Sequence, residues 1–504
     1  MWKNSSKWAR PSSDTWQSLF PVLRVLGIVQ ACFGGLMLIP ALVGWLYGQM
    51  MPAHIFAGCA LLTIVTGVAM WLCFRRYQRD LMPRDGVLLV PLTWTWLPLF
   101  AGLPFLAILY YVDRPIDFSH AYFEAVSALT TTGNSVLTKL DSLPIALNFW
   151  RTFLQWIGGL GVIILAVAVL PLLGVGATQL LRVEMAGPIK DAKLTPRIST
   201  TAKGLWGIYV LFSVLCTLAY WAAGMEPMDA VMHMFGTVSL GGLTPHDGSL
   251  GYFNSPLIEL IALCFMVLGS ISFTLYFVCF RRRSVFRIWK DPEARATLTA
   301  LFGCGLFVSL LLWVKGTYPF MEALRLGMFN VISIATTTGY SSADYLQWPV
   351  FIPVFMLMLS GIVTGAGSTG GGIKMIRMLI LIKQTQREIR RMVHPRAVQP
   401  VTIDGRVVDD SVIFSVLAFM LVYGVTIISL SMVLLLTDMD MVSAFSAILA
   451  SVHCMGIGLG EVGPTGSFAH FTNFQIWVCS AAMLLGRLEM LSFLAILMPS
   501  FWKK

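Results

Sequence analysis

Charge is what this chain lacks. Asp, Glu, Lys and Arg make up 12% of its 504 residues, while 57% are hydrophobic. Soluble proteins carry about a quarter charged residues. So few polar groups cannot cover the surface of a soluble chain this long, which excludes an ordinary cytosolic enzyme. Disorder is excluded as well, since it needs low hydrophobicity and high charge. The nine cysteines contain no CxxC pair, and most stand inside apolar runs. Neither a structural zinc site nor a disulfide framework follows, and the thiols read as small hydrophobes in helices. His233 and His453 have no second histidine at ligand spacing, so no transition-metal site is expected. The apolar runs also lack the clustered His, Asp, Glu or Ser groups of an intramembrane enzyme, and no enzymatic activity is expected. The first 20 residues have no signal-peptide core or cleavage site. The first membrane helix is expected to act as its own insertion signal.

What the chain has is long apolar runs. A helix needs about 20 apolar residues to cross a bilayer. Ten such segments centre near 22–48, 53–74, 86–112, 150–175, 204–224, 254–280, 297–315, 347–383, 411–437 and 472–500. A membrane β-barrel would instead show short alternating segments. Lys and Arg gather in alternate connections. Arg75, Arg76, Arg79 and Arg84 fill the first, and Arg182, Lys190, Lys193, Arg197 and Lys203 the second. Arg281, Arg282, Arg283, Arg287 and Lys290 fill the third. The fourth runs from Lys383 through Arg387, Arg390, Arg391 and Arg396 to Arg406, and Lys503 and Lys504 end the chain. The opposite connections hold mainly acids: Asp113, Asp141, Glu226, Asp247, Asp438, Asp440 and Glu461. The positive-inside rule then makes both termini cytoplasmic, in keeping with an even number of crossings. The net charge of +10 is thus mostly topology, with a minor part left to dock a soluble cytoplasmic partner. No nucleic-acid binding is expected.

Four connections on the acidic side share one layout. Each has an acid (Asp117, Asp229, Glu322, Asp440), then a short apolar segment, then a small polar or glycine cluster. An acid suits the positive N-terminal end of a short helix. The clusters centre on Thr131-Thr132-Gly133-Asn134, Leu240-Gly241-Gly242-Leu243, Thr337-Thr338-Gly339-Tyr340 and Cys454-Met455-Gly456-Ile457. Their key glycines, 133, 242, 339 and 456, recur about every hundred residues, the span of helix, pore helix, loop and helix. A cation crossing a membrane must exchange water oxygens for protein oxygens, and backbone carbonyls aimed at one axis supply them. Such a turn needs dihedrals that glycine adopts cheaply. Four segments in one chain make one complete selectivity filter. Cation contact is expected at Thr131, Thr132, Leu240, Gly241, Thr337, Thr338, Cys454 and Met455.

In these motifs and several others, the chain resembles the Trk/Ktr/HKT superfamily of potassium transporters over nearly its whole length. The resemblance rests on the four clusters, on Phe153-Leu154-Gln155-Trp156-Ile157-Gly158-Gly159-Leu160-Gly161 and on Lys193-Leu194-Thr195-Pro196-Arg197. It rests also on Thr244-Pro245-His246-Asp247-Gly248-Ser249, on 366–374 and on Gly460-Glu461-Val462-Gly463-Pro464. It implies an all-α polytopic membrane protein with four helix–pore loop–helix repeats around one pseudo-fourfold pore and two leading helices. The division expected is 1–80 for the tail and leading helices, then repeats at 81–190, 191–290, 291–400 and 401–504. The implied function is potassium uptake across the bacterial inner membrane. The alternative is a secondary transporter of another monovalent cation, by sodium transport or ion-coupled symport. The resemblance further implies a homodimer and a cytosolic TrkA-like regulatory subunit that binds NAD or ATP. No bound cofactor is expected beyond K+ as the transported ion. In plant relatives, serine at the first filter glycine accompanies sodium transport, so Gly133 favours potassium. The fourth cluster departs from the family: relatives usually carry asparagines where His453-Cys454-Met455 stand, and Ile457 replaces a common proline.

The eighth span is interrupted by Gly361 and by Gly365-Ala366-Gly367-Ser368-Thr369-Gly370-Gly371-Gly372, ahead of Lys374. Each glycine weakens a helix by about 1 kcal/mol relative to alanine, so the span is expected to unwind here. Broken membrane helices mark ion paths, and a gate beneath the third cluster is expected. The GxGxxG match within it lacks the strand and βαβ context of a dinucleotide site. Arg487 stands alone in the last span, where an arginine is costly and by default functional. It is expected to reach the glycine loop, with Glu489 as the alternative partner.

Overall fold

The computed structural model describes residues 19–77, 82–168, 198–396, 399–488 and 490–502. Arg182, Lys190 and the Lys193–Arg197 motif of the second basic connection, Arg79, Glu489 and the terminal lysines lie outside these residues, whereas Lys203 lies within them. Among the described residues the regular structure is helical apart from one small hairpin, β1 Thr402–Ile403 against β2 Arg406–Val407.

Two apolar helices lead, α1 (Phe20–Leu46) and α2 (Met50–Phe74). They pack backbone to backbone. A Cβ on Gly67 would lie 2.7 Å from the Ala31 nitrogen, and one on Gly27 would lie 2.8 Å from the Gly67 oxygen. Membrane helices associate this way because lipid is as apolar as their side chains and only close contact holds them. Buried Gln30 locks the pair to the next helix, α3 (Arg84–Tyr111). Its Nε2 donates to Thr66 Oγ1 at 2.7 Å, and its Oε1 accepts from Trp96 Nε1 at 2.8 Å. An amide in apolar surroundings needs such partners at both ends.

Four units follow. The first is α3, α4 (Phe118–Leu129) and α5 (Ile145–Ala168). The second is α6 (Ile198–Ala222), α7 (Pro227–Ser239), α8 (Pro256–Ser270) and α9 (Phe273–Arg281). The third is α10 (Pro292–Val314), α11 (Phe320–Ala335), α12 (Phe351–Ser360) and α13 (Met375–Val393). The last is α14 (Asp410–Leu435), α15 (Met441–His453), α16 (Asn473–Arg487) and α17 (Met490–Leu497). In units one, two and four a short helix lies between two longer ones, and in unit three α11 is followed by the ten-residue α12, the first half of the broken span. These short helices, α4, α7, α11 and α15, form the core, and α4 is buried throughout from Ala121 to Leu129. The acids stand at their starts. Asp117 precedes α4, Asp229 and Glu322 lie in the first turns of α7 and α11, and Asp440 accepts from the Val442 and Ser443 nitrogens. Around the outside, Leu61, Leu62, Phe414 and Leu421 face outward, as membrane helices present them to lipid.

Among the described residues, six helices are long and apolar enough to cross a membrane as single rods, or seven with the bent α8–α9 pair. The ten spans expected from the sequence therefore do not all appear as rods. The span expected at 254–280 bends by 87° between α8 and α9. Ile271 is extended there, and the glycine loop of unit three docks into the gap. The Gly365 nitrogen donates to the Ser270 carbonyl (2.9 Å) and the Phe273 nitrogen to the Gly367 carbonyl (3.1 Å). The eighth span unwinds after Ser360 as its glycines require. Its second half, α13, runs past the expected limit to Val393 on an arginine-rich surface turn.

Replacing Gly67 by leucine should force α1 and α2 apart and destabilise the protein by about 1–3 kcal/mol. Gly58, on the same helix with open space around it, should accept leucine without loss. Thermal unfolding of the two purified variants in detergent checks the contrast.

Candidate functional site

At the end of each short helix the backbone reverses in the same way. The residue two before the key glycine is left-handed: Thr131 (φ 53°), Leu240 (55°), Thr337 (63°) and Cys454 (54°). The glycines follow at φ 88°, 77°, 79° and 87° for Gly133, Gly242, Gly339 and Gly456. Left-handed backbone costs an ordinary L-residue about 1–2 kcal/mol, so four copies of it are held by their surroundings. The fourth cluster shares these dihedrals despite its different side chains.

The four loops close into a ring. A Cβ on Gly133 would collide with the Gly241 carbonyl, one on Gly242 with the Thr338 carbonyl, and one on Gly339 with the Met455 carbonyl. A Cβ on Gly456 would lie 2.8 Å from the Thr132 carbonyl. Each loop thus meets the next in chain order and the fourth returns to the first. In every case the contact is between a key glycine and the carbonyl just before its neighbour's key glycine. All four glycines line one cavity of ≈ 290 Å³, whose walls include Ser135, Leu137, His246, Ser341 and Pro464. The C-terminal ends of the short helices converge on the ring. Each such end carries about half a negative charge, a field that favours cations.

Side chains behind the ring hold it. Glu124 on α4 and Arg151 on α5 are fully buried and paired at 2.7 Å. Glu124 also accepts from the Val136 nitrogen, and Arg151 donates to Ser135 Oγ and the Thr244 carbonyl. Gln155, one helical turn further, bonds the second loop through both ends of its amide. Asn134 Nδ2 donates to Ser451 Oγ at 2.9 Å, joining loop one to α15. The Tyr340 hydroxyl donates to the His233 carbonyl at 3.0 Å, joining loop three to α7. His453 Nδ1 meets Ser360 Oγ at 2.7 Å, tying the fourth loop to the break in the eighth span. Glu124, Arg151 and Gln155 were not expected from the sequence, although a charged pair inside apolar runs was a visible signal.

Below the ring lies the glycine loop. The Gly371 nitrogen donates to Thr337 Oγ1 at 2.8 Å, and Thr369 Oγ1 donates to the Val238 carbonyl at 3.1 Å. A Cβ on Gly371 would strike the His453 carbonyl. The loop therefore touches units two, three and four at once. Arg487 Nη1 donates to the Thr369 carbonyl at 3.0 Å, and Lys374 Nζ donates to the Gly370 carbonyl. The Arg487 side chain thus meets the loop; Glu489, its alternative partner, lies outside the described residues. Glu293 fixes both flanks of the loop from α10, accepting from the Ala366 and Ile376 nitrogens at 2.7 and 3.2 Å.

A polar clasp joins units one and two at the rim of the cavity. His246 Nδ1 faces Asp141 Oδ1 at 2.5 Å, and its Nε2 faces Asp229 Oδ2 at 3.2 Å. Burial disfavours the imidazolium, but the bonds to Asp229 and Asp141 and their charges outweigh it and raise the His246 pKa. Burial likewise works against the Asp141 carboxylate. The His246 bond, the Asp247 nitrogen and the imidazolium charge outweigh it and lower its pKa.

Comparison with known proteins decides the family. A model described as TrkH, cation transport protein, matches residues 52–504. The chain belongs to the TrkH family. It is 42% identical to the Trk system potassium uptake protein TrkH of Vibrio parahaemolyticus, over 96% of this chain and 99% of that one. It is 39% identical to the TrkH protein of Escherichia coli, over 96% and 99% of the two chains. The crystal structure of the potassium transporter TrkH from Vibrio parahaemolyticus superimposes with a TM-score of 0.88 at 39% identity, covering 97% of this chain and all of that one. For a TrkH-family chain, the all-α polytopic fold implied by the sequence resemblance holds.

Glu124→Gln should destabilise the protein by about 3–5 kcal/mol, because it leaves Arg151 buried and unpaired; unfolding midpoints in detergent measure this. The clasp predicts a pH dependence of opposite sign at its two ends. The folded His246 pKa is raised above 6.5, so its contribution is complete below that value and fades as pH rises through the folded pKa. The Asp141 contribution is present above 3.8 and is lost as pH falls through its lowered folded pKa. His246→Phe should flatten the alkaline fall in thermal stability, measured across the neutral and mildly alkaline range.

Proposed function

We propose that this chain is the pore-forming subunit of a bacterial potassium-uptake system. One observation carries the reading: four loops, two of them Thr-Thr-Thr-Gly and two of different sequence, share one backbone and close a ring of glycine–carbonyl contacts at the focus of four helix C-termini. Dehydrated cations would pass on the carbonyls of Thr131, Thr132, Leu240, Gly241, Thr337, Thr338, Cys454 and Met455. The names of the similar proteins point to potassium as the ion. The glycine loop, with Lys374 and Arg487 bonded to its carbonyls, is the gate. Opening requires those bonds and the Thr337 bond to break, and the basic connections and α13 offer a cytosolic nucleotide-binding regulator its grip. The subunit works as a homodimer in the inner membrane with both termini cytoplasmic, an orientation set by the basic residues at Arg75–Arg76, Arg281–Arg283 and Arg390–Arg391.

The chain should restore growth of uptake-deficient bacteria at low potassium when a cognate regulator is supplied. Failure to take up any monovalent cation would sink the reading, and uptake of sodium alone would favour the secondary-transport alternative. Gly133→Ser and Gly339→Ser should each shift the ratio of potassium to sodium uptake, read by ion flux in cells. Arg487→Gln should raise uptake in the absence of the regulator.

A further inference from the structure

The ring has fourfold backbone geometry but not fourfold chemistry. Four carbonyls stand at its level: Thr132, Gly241, Thr338 and Met455. Among the described residues, Gly241 alone accepts a side-chain hydrogen bond. Gln155 Nε2 donates to its oxygen at 2.6 Å. The other end of the same amide accepts from the Leu243 nitrogen at 3.0 Å. The two partners fix the orientation of the amide, since turning it over would set oxygen against oxygen and N–H against N–H. Gln155 is fully buried, and a Cβ on Gly241 would lie 2.5 Å from its Cδ. The amide is therefore pressed against the second loop from α5.

Building on the filter reading above, we infer that Gln155 is a specificity-determining positioning residue that makes this level of the ring a three-plus-one cation site. A carbonyl oxygen has two lone pairs, and the one at Gly241 has given one to an amide N–H. It still faces the ring, with less charge to offer and a fixed direction. A smaller ion is held only if the oxygens move inward to meet it. Three carbonyls are free of side-chain donors and can follow, whereas the fourth is tethered from behind. The tether therefore penalises sodium more than potassium. The second half of the clamp acts on the peptide bonds between Gly241 and Leu243. With the Leu243 N–H held outward, the loop does not turn a donor into the path.

The test is potassium and sodium uptake by Gln155→Met and Gln155→Glu, with surface amount measured alongside. Methionine keeps the length and loses both bonds. Ionised glutamate keeps an acceptor for Leu243 and loses the donor to Gly241. Both should raise sodium uptake relative to potassium by about tenfold, as expected for loss of one buried hydrogen bond felt by one ion only. The change should lie in the KM ratio of the two ions rather than in the maximal rate. Thr152→Val, which removes a bond to the carbonyls of its own helix, should leave the ratio unchanged. If either Gln155 variant transports with the original KM ratio, the inference is overturned. If neither sustains measurable uptake, thermal protection of the detergent-purified Gln155→Glu protein by potassium against sodium decides: equal ratios to the parent overturn it, and a lowered preference for potassium supports it. Unchanged selectivity in Gly133→Ser and Gly339→Ser would instead remove the filter reading itself. A shift in those two with none at Gln155 would remove this inference alone.

Discussion

Irregular backbone at membrane depth is the constraint on which the rest of this structure depends. A hydrocarbon environment leaves no water for free N–H and carbonyl groups, so non-helical chain survives there only when enclosed by protein. The four loops and the glycine segment beneath them are all of that kind. The outer helices supply the enclosure, the short helices aim their C-termini at the ring, and the buried polar side chains take up the backbone groups that the loops leave open. The Glu124–Arg151 pair belongs to this arrangement. Its charges are costly to bury, and they are retained where they bond loop backbone on both sides. Glu293 repeats the device at the flanks of the glycine segment.

The parts of the fold readable in the sequence were local or periodic. Apolar runs gave the helices, and glycine clusters at regular spacing gave the four loops. The broken eighth span was legible because its glycines carry their own conformational cost. The 87° bend between α8 and α9 was not, since Ser270-Ile271-Ser272 carries no strong breaker. That bend is set by what docks into it, a segment about a hundred residues further on. The supports of the ring were hidden for the same reason. Gln155 and Gly241 are 86 residues apart, and no spacing rule links them. Arg487 was visible as a lone charge, but its contact with the Thr369 carbonyl depends on packing. The fourth loop is a different lesson. Its side chains depart from the pattern while its backbone dihedrals do not, because a ring of carbonyls constrains the main chain and leaves the side chains freer to vary.

The scarce charge is also placed economically. Basic residues gather in alternate connections, acids start the short helices or close the His246 clasp, and two cations, Arg487 and Lys374, sit on the carbonyls of the glycine loop. The ring itself holds no ionised side chain. On the filter reading proposed above, selection among cations would rest on how stiffly oxygens are held rather than on how strongly they attract.

That the four loops belong to one polypeptide has a genetic consequence. In a ring assembled from identical subunits, any substitution appears four times and shifts the whole site in one step. Here each quadrant is written separately. The His453-Cys454-Met455 sequence and the Gln155 tether each alter a single quadrant and leave three untouched. On the filter reading proposed above, such a ring would be open to retuning one quadrant at a time.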